Sequence, residues 1–130
     1  MANQITGDSA IDTLIVDDEV DICYLLSGIL RKYNYHPHYV TSLRDADKAL
    51  SDLSPVLIFI DNHLPDGFGI DFLSKIKANK PHSKIIMISA YDTSEDRTSA
   101  YEKGVDYFIG KPFTSDVIFK AIQFLANKSA

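Results

Sequence analysis

One hexapeptide constrains the fold more than any other stretch of the chain. Residues 56–61 read V-L-I-F-I-D, apolar without interruption up to a terminal aspartate. A strand with one face in water alternates apolar and polar residues, because successive side chains point to opposite faces. A strand that is apolar at every position is buried on both faces. That requires a sheet covered above and below, the usual setting of parallel strands. The rest of the chain must therefore supply neighbouring strands and two layers of helices.

It does so in regular alternation. Similar apolar runs stand at 13–17 (T-L-I-V-D) and 84–89 (K-I-I-M-I-S), with further strands at 36–41 and 105–109. Between them apolar residues recur at helical spacing. Ile22, Leu25, Leu26 and Ile29 share a face within 20–32; Leu43, Ala46, Leu50 and Leu53 share one behind the capping Ser42. Helices are also expected over 69–78, 92–103 (stopped by Gly104) and 115–127. The result is an α/β chain of five βα units: a doubly wound five-stranded parallel sheet whose common order is 2-1-3-4-5. That order puts the second strand at an edge, where Pro37 is tolerated. A single domain is expected over residues 11–128, after a flexible lead at residues 1–10.

Charge and composition exclude several function classes. The net charge is −5, from 18 acidic and 13 basic residues, with no Lys/Arg run. Phosphate backbones need a basic footprint, so direct nucleic-acid binding is not expected. No apolar stretch has the length of a membrane span, and the N-terminus lacks a signal-peptide core, so a cytoplasmic location is expected. The 45% hydrophobic content is enough for a core without staples. The one cysteine, Cys23, reads as a buried thiol on a helix.

In a doubly wound sheet, ligands bind beyond the carboxyl ends of the strands, where the order reverses. Asp17 and Asp18 end the first strand, Asp61 the third and Ser89 the fourth, and Lys111 follows the fifth. The topology gathers these distant residues into one cleft. Three carboxylates together repel one another and raise at least one pKa, a conflict that a hard divalent cation relieves. Oxygen ligands select Mg²⁺. Asp61, at the centre of the sheet, is placed as a carboxylate nucleophile toward phosphorus. Lys111 and the Ser89 hydroxyl would bind phosphoryl oxygens.

The runs L-I-V-Asp17-Asp18-E, Asp61-N-H-L-Pro65-D-Gly67, I-S-Ala90 and Lys111-Pro112-F-T, in this order and on these strands, resemble the signature set of two-component response-regulator receiver domains. The resemblance covers roughly residues 12–127. It implies a flavodoxin-like receiver fold, with Asp61 as the phospho-accepting residue and Mg²⁺ as cofactor. It further implies Asp18 and Asp61 as direct Mg²⁺ ligands, Asp17 as a ligand through water, and the His63 backbone carbonyl as a further ligand. Ser89 and Lys111 would bind the phosphoryl group. Ser89 and Phe108 would carry the switch, and the Lys111–Pro112 bond would be cis. The implied partners are a sensor histidine kinase or phosphotransfer protein, with a possible phosphorylation-dependent homodimer. Such a domain catalyses only its own phosphorylation and dephosphorylation.

Competing readings exist for each part. Acidic residues favour helix starts, and L-Pro65-D-Gly67 makes a turn in any case. A pseudo-receiver would dock partners without phosphorylation, but such domains usually lack one or more site residues. A haloacid-dehalogenase-type phosphatase would carry D-x-D after its first strand, which Asp17-Asp18-Glu19 breaks. A flavin binder would need a phosphate loop where this chain has D-D-E-V-D. His36 and His38 share one strand face; a metal pair is conceivable, and a half-exposed edge strand accounts for them more simply.

Overall fold

The computed structural model describes residues 11–129. The expected lead over residues 1–10 lies outside the described residues. The elements run β1 (Ile11–Val16), α1 (Val20–Lys32), β2 (Tyr35–Val40), α2 (Leu43–Asp52), β3 (Leu57–Asp61), β4 (His63–Leu64), β5 (Gly67–Phe68), α3 (Gly69–Asn79), β6 (Lys84–Ser89), α4 (Ser94–Glu102), β7 (Tyr107–Gly110) and α5 (Ser115–Ser129). Five strands form one parallel sheet in the order β2-β1-β3-β6-β7. The remaining two, β4 and β5, form a separate antiparallel ribbon. Counting the main sheet alone, the order is the expected 2-1-3-4-5, with Pro37 on the edge strand.

The apolar hexapeptide explains the layering. All five residues of β3 are buried. Alternate side chains supply two separate cores. Phe59 joins Ile15, Ile86, Ile88 and Ile109 beneath α1 and α5, against Leu26, Leu30, Ile118 and Leu125. Ile58 and Ile60 join Leu14, Val16, Ile85 and Met87 on the other side, under Leu50 of α2, Leu73 and Ile76 of α3, and Ala100 of α4. Each fully buried aliphatic side chain contributes about 1.5–3 kcal/mol, so β3 anchors both layers at once.

Element boundaries follow local hydrogen bonding. Asn34 takes the left-handed backbone (φ 66°) just past α1, a conformation asparagine tolerates. The start of α2 is capped twice: Ser42 Oγ accepts from the Asp45 amide at 3.1 Å, and both Asp66 oxygens accept from Leu43 and Arg44 at 2.9 Å. Two elements begin two residues later than the sequence suggests. Helix α4 begins at Ser94 rather than at 92, because Thr93 and Asp96 close a reciprocal capping box. Strand β7 begins at Tyr107 rather than at 105, because the Val105 amide still bonds back to Ala100 of α4. Among the described residues, no helix is long and apolar enough to cross a membrane.

Candidate functional site

All five strands of the main sheet point their carboxyl ends the same way, and β1 and β3 are neighbours there. Val16 pairs with Ile60, so Asp17 and Asp61 emerge level with each other, one step further on. Ser89 pairs with Gly110, which places Lys111 one residue past it, and the Lys111 amide donates to the Ser89 carbonyl at 2.9 Å. The chain thus delivers Asp17, Asp61, Ser89 and Lys111 to one edge by register alone. The Lys111–Pro112 peptide bond is cis.

Lys111 is the hub. Its Nζ lies 2.6 Å from Glu19 Oε1, 2.9 Å from Asp17 Oδ2 and 3.4 Å from Asp61 Oδ2. The Lys111, Asp17 and Asp61 side chains are all nearly buried, at 10%, 3% and 8% exposure. Burial by itself would disfavour the Lys111 charge. The carboxylates of Glu19, Asp17 and Asp61 outweigh burial and hold the ammonium well above the ordinary lysine range. The two aspartates move the other way. Burial raises the Asp61 pKa; Lys111 opposes that shift and the neighbouring Asp17 charge adds to it. Burial also raises Asp17, against the Glu19 amide and the Lys111 ammonium. The edge is therefore charged at a cost that Lys111 only partly offsets.

The carboxylate oxygens of Asp17, Glu19 and Asp61 all lie within 4.8 Å of one another. This all-oxygen set fits a hard cation such as Mg²⁺. Asp18 is exposed and stands outside that set, whereas Glu19 belongs to it. Sequence reasoning passed over Glu19 because it lies beyond the strand end, in the first turn toward α1. It also passed over Gly69. A Cβ there would run into the carbonyl oxygen of Asp61, so only glycine lets α3 start this close to the strand end. Asn62 ties the same corner: its carbonyl accepts from the Gly69 amide at 2.8 Å, and its side chain from the Ile70 amide at 2.9 Å.

Two aromatic groups flank the edge. His63 packs against Tyr91 with ring centroids 4.0 Å apart and planes tilted by 35°, and meets Phe68 edge-on at 5.2 Å. These rings stand two residues past Asp61 and Ser89. Phe108 is buried (4% exposed), with the Arg97 guanidinium 4.8 Å over its ring and its amide donating to Tyr101 Oη at 3.0 Å. Ser89 is also buried, and its Oγ accepts from the Tyr91 amide at 3.1 Å.

The family model of the response regulator receiver domain matches residues 13–123. The chain belongs to that family. This receiver domain is 39% identical over 110 residues to the nitrogen assimilation regulatory protein NtrX of Azorhizobium caulinodans, covering 81% of this chain and 24% of that protein. It is 33% identical over 120 residues to the phosphate regulon transcriptional regulatory protein PhoB of Escherichia coli, covering 88% and 51% respectively. The chain thus spans about a quarter to a half of the length of these curated relatives. Among solved structures, the beryllofluoride-activated NtrC4 receiver domain dimer superposes with a TM-score of 0.85 at 34% identity, covering 92% of this chain and 98% of that one. A receiver domain serves two-component signalling and is not a free-standing enzyme; the matches give the phosphatase and docking-only readings no support.

Proposed function

We propose that Asp61 of this receiver domain accepts a phosphoryl group from the phosphohistidine of a sensor histidine kinase or phosphotransfer protein. An Asp61 carboxylate oxygen forms the new bond to phosphorus. The phosphorus–nitrogen bond breaks, and its electron pair leaves with the donor imidazole. Lys111 supports this reading most directly, because its ammonium reaches both Asp17 and Asp61 from the far side of the sheet. When an acyl phosphate forms at Asp61, the same ammonium is within reach of its oxygens. The Ser89 hydroxyl, at the end of the adjoining strand, is the second oxygen partner.

Mg²⁺ would be held by Asp17, Asp61 and the His63 carbonyl, and the exposed Asp18 side chain would turn in from outside the cluster to join them. When bound, it neutralises charge on the incoming phosphoryl donor. Glu19 would share the Lys111 ammonium with Asp17 and Asp61, holding it at the strand ends where the phosphoryl oxygens arrive. The readout would pass from Ser89 through Phe108 and Arg97 to the face made by α4, β7 and α5, with partner docking or homodimerisation there. Activation of the NtrC4 receiver as a dimer supports that expectation. The domain would act in the cytoplasm.

Incubation with Mg²⁺ and acetyl phosphate, followed by intact-mass measurement, tests the proposal. One labile phosphoryl group should appear, and it should be absent from Asp61→Asn and from samples in EDTA. Equal labelling of Asp61→Asn would defeat it.

A further inference from the structure

The strand-end carboxylates account for one cluster of metal-ligating side chains. A second lies at the opposite edge of the sheet. His36 Nδ1 stands 3.1 Å from Asp12 Oδ1, and His38 Nε2 stands 2.9 Å from the same oxygen. The two imidazoles meet edge to face, with centroids 4.7 Å apart. Asp12 is the second residue of β1 and pairs in register with His36 of β2. Asp17 lies five positions after Asp12, so the two clusters lie roughly 17 Å apart along the strand.

A half-exposed edge strand explains why His36 and His38 are partly open to water. It does not explain why three side chains from two strands converge on one point. Residues two apart on a strand have Cα atoms about 7 Å apart. The two rings bridge that gap by presenting different nitrogens, the near Nδ1 of His36 and the far Nε2 of His38. The three donor atoms all lie within 4.8 Å of one another. A tetrahedral ion with bonds of about 2.0–2.2 Å needs donors about 3.4 Å apart. Small rotations of partly exposed side chains (34–59%) would achieve that.

We propose that Asp12, His36 and His38 form a binding site for a borderline divalent transition metal, with Zn²⁺ as the representative ion. Two imidazoles and one carboxylate suit zinc, nickel or copper rather than magnesium. The site is thus chemically distinct from the oxygen cluster around Asp61. A bound ion would pin the edge strand β2 to β1. It would leave coordination positions open to water or to a ligand from another molecule.

Titration of ZnCl₂ alone into the wild type and into Asp61→Asn, followed by calorimetry, tests the proposal. Each protein should bind one equivalent at this site. His36→Gln or His38→Gln should weaken binding by at least about a hundredfold, the upper end of what removing a mere supporting group costs. Circular dichroism checks that the variants fold. Independently of any variant, the ring-proton NMR signals of both His36 and His38 should shift in the wild type on adding zinc. Unshifted histidine signals at saturating zinc would overturn the proposal. So would zinc binding that survives His38→Gln but is lost in Asp61→Asn.

Discussion

Lys111 carries a positive charge into a place where burial alone would oppose it, and it stays charged because three carboxylates surround it. Asp61 shows the complementary cost. Its pKa is raised above the ordinary 3.8, first by burial. Between that value and the raised one, the folded state binds more protons than the unfolded state. Stability therefore falls as pH rises through this window. Asparagine has no charge to bury. Asp61→Asn should thus stabilise the metal-free domain at neutral pH, and the gain should disappear well below pH 3.8, where Asp61 is neutral in both states. Urea denaturation in EDTA at the two pH values checks this. Gly69 acts through geometry instead. Gly69→Ala should drive α3 and the Asp61 backbone apart. A displacement of about 1 Å can cost on the order of a hundredfold in rate, so phosphorylation by acetyl phosphate should slow by about that factor while the fold persists by circular dichroism.

Among the elements, α4 stands apart. Ala100 is its one buried residue, whereas α1 buries five. Weakly anchored elements open first and are the ones a switch can move. The capping box at Thr93 is then a large share of what holds α4 in place. Thr93→Ala should cost about 1 kcal/mol and speed amide exchange in α4 while leaving α1 protected; equal acceleration in both helices would contradict this.

The five helices were legible in the sequence, as were the five sheet strands and their order. Each of those rests on a pattern several residues long. The β4–β5 ribbon was not legible, because two-residue strands carry no periodicity and L-Pro65-D-Gly67 reads simply as a turn. The gathering of Asp17, Asp61, Ser89 and Lys111 at one sheet edge was legible because each ends or directly follows an apolar strand. Glu19 was not, since its approach to Lys111 depends on how the chain turns into α1. The convergence of His36 and His38 on Asp12 required the register between β1 and β2, which no local pattern encodes.

For the molecule as a whole, one sheet edge holds the charged site, and a cavity lined by Asp92, Arg97, Phe108 and Lys111 joins it to the face made by α4, β7 and α5. If that face is the output, occupying the site should change self-association. Sedimentation with beryllofluoride and Mg²⁺ should show a shift from monomer to dimer, absent in Asp61→Asn; an unchanged coefficient would assign the face to a different partner. The central claim concerns the position of the phosphoryl group itself. Reduction of the phosphorylated domain with borohydride, followed by peptide mass spectrometry, reads that position directly, because an acyl phosphate is reduced to the alcohol. The account requires the reduced residue at position 61 and nowhere else. Reduction at Asp17 or Asp18, or none in a protein shown to carry phosphate, would contradict it.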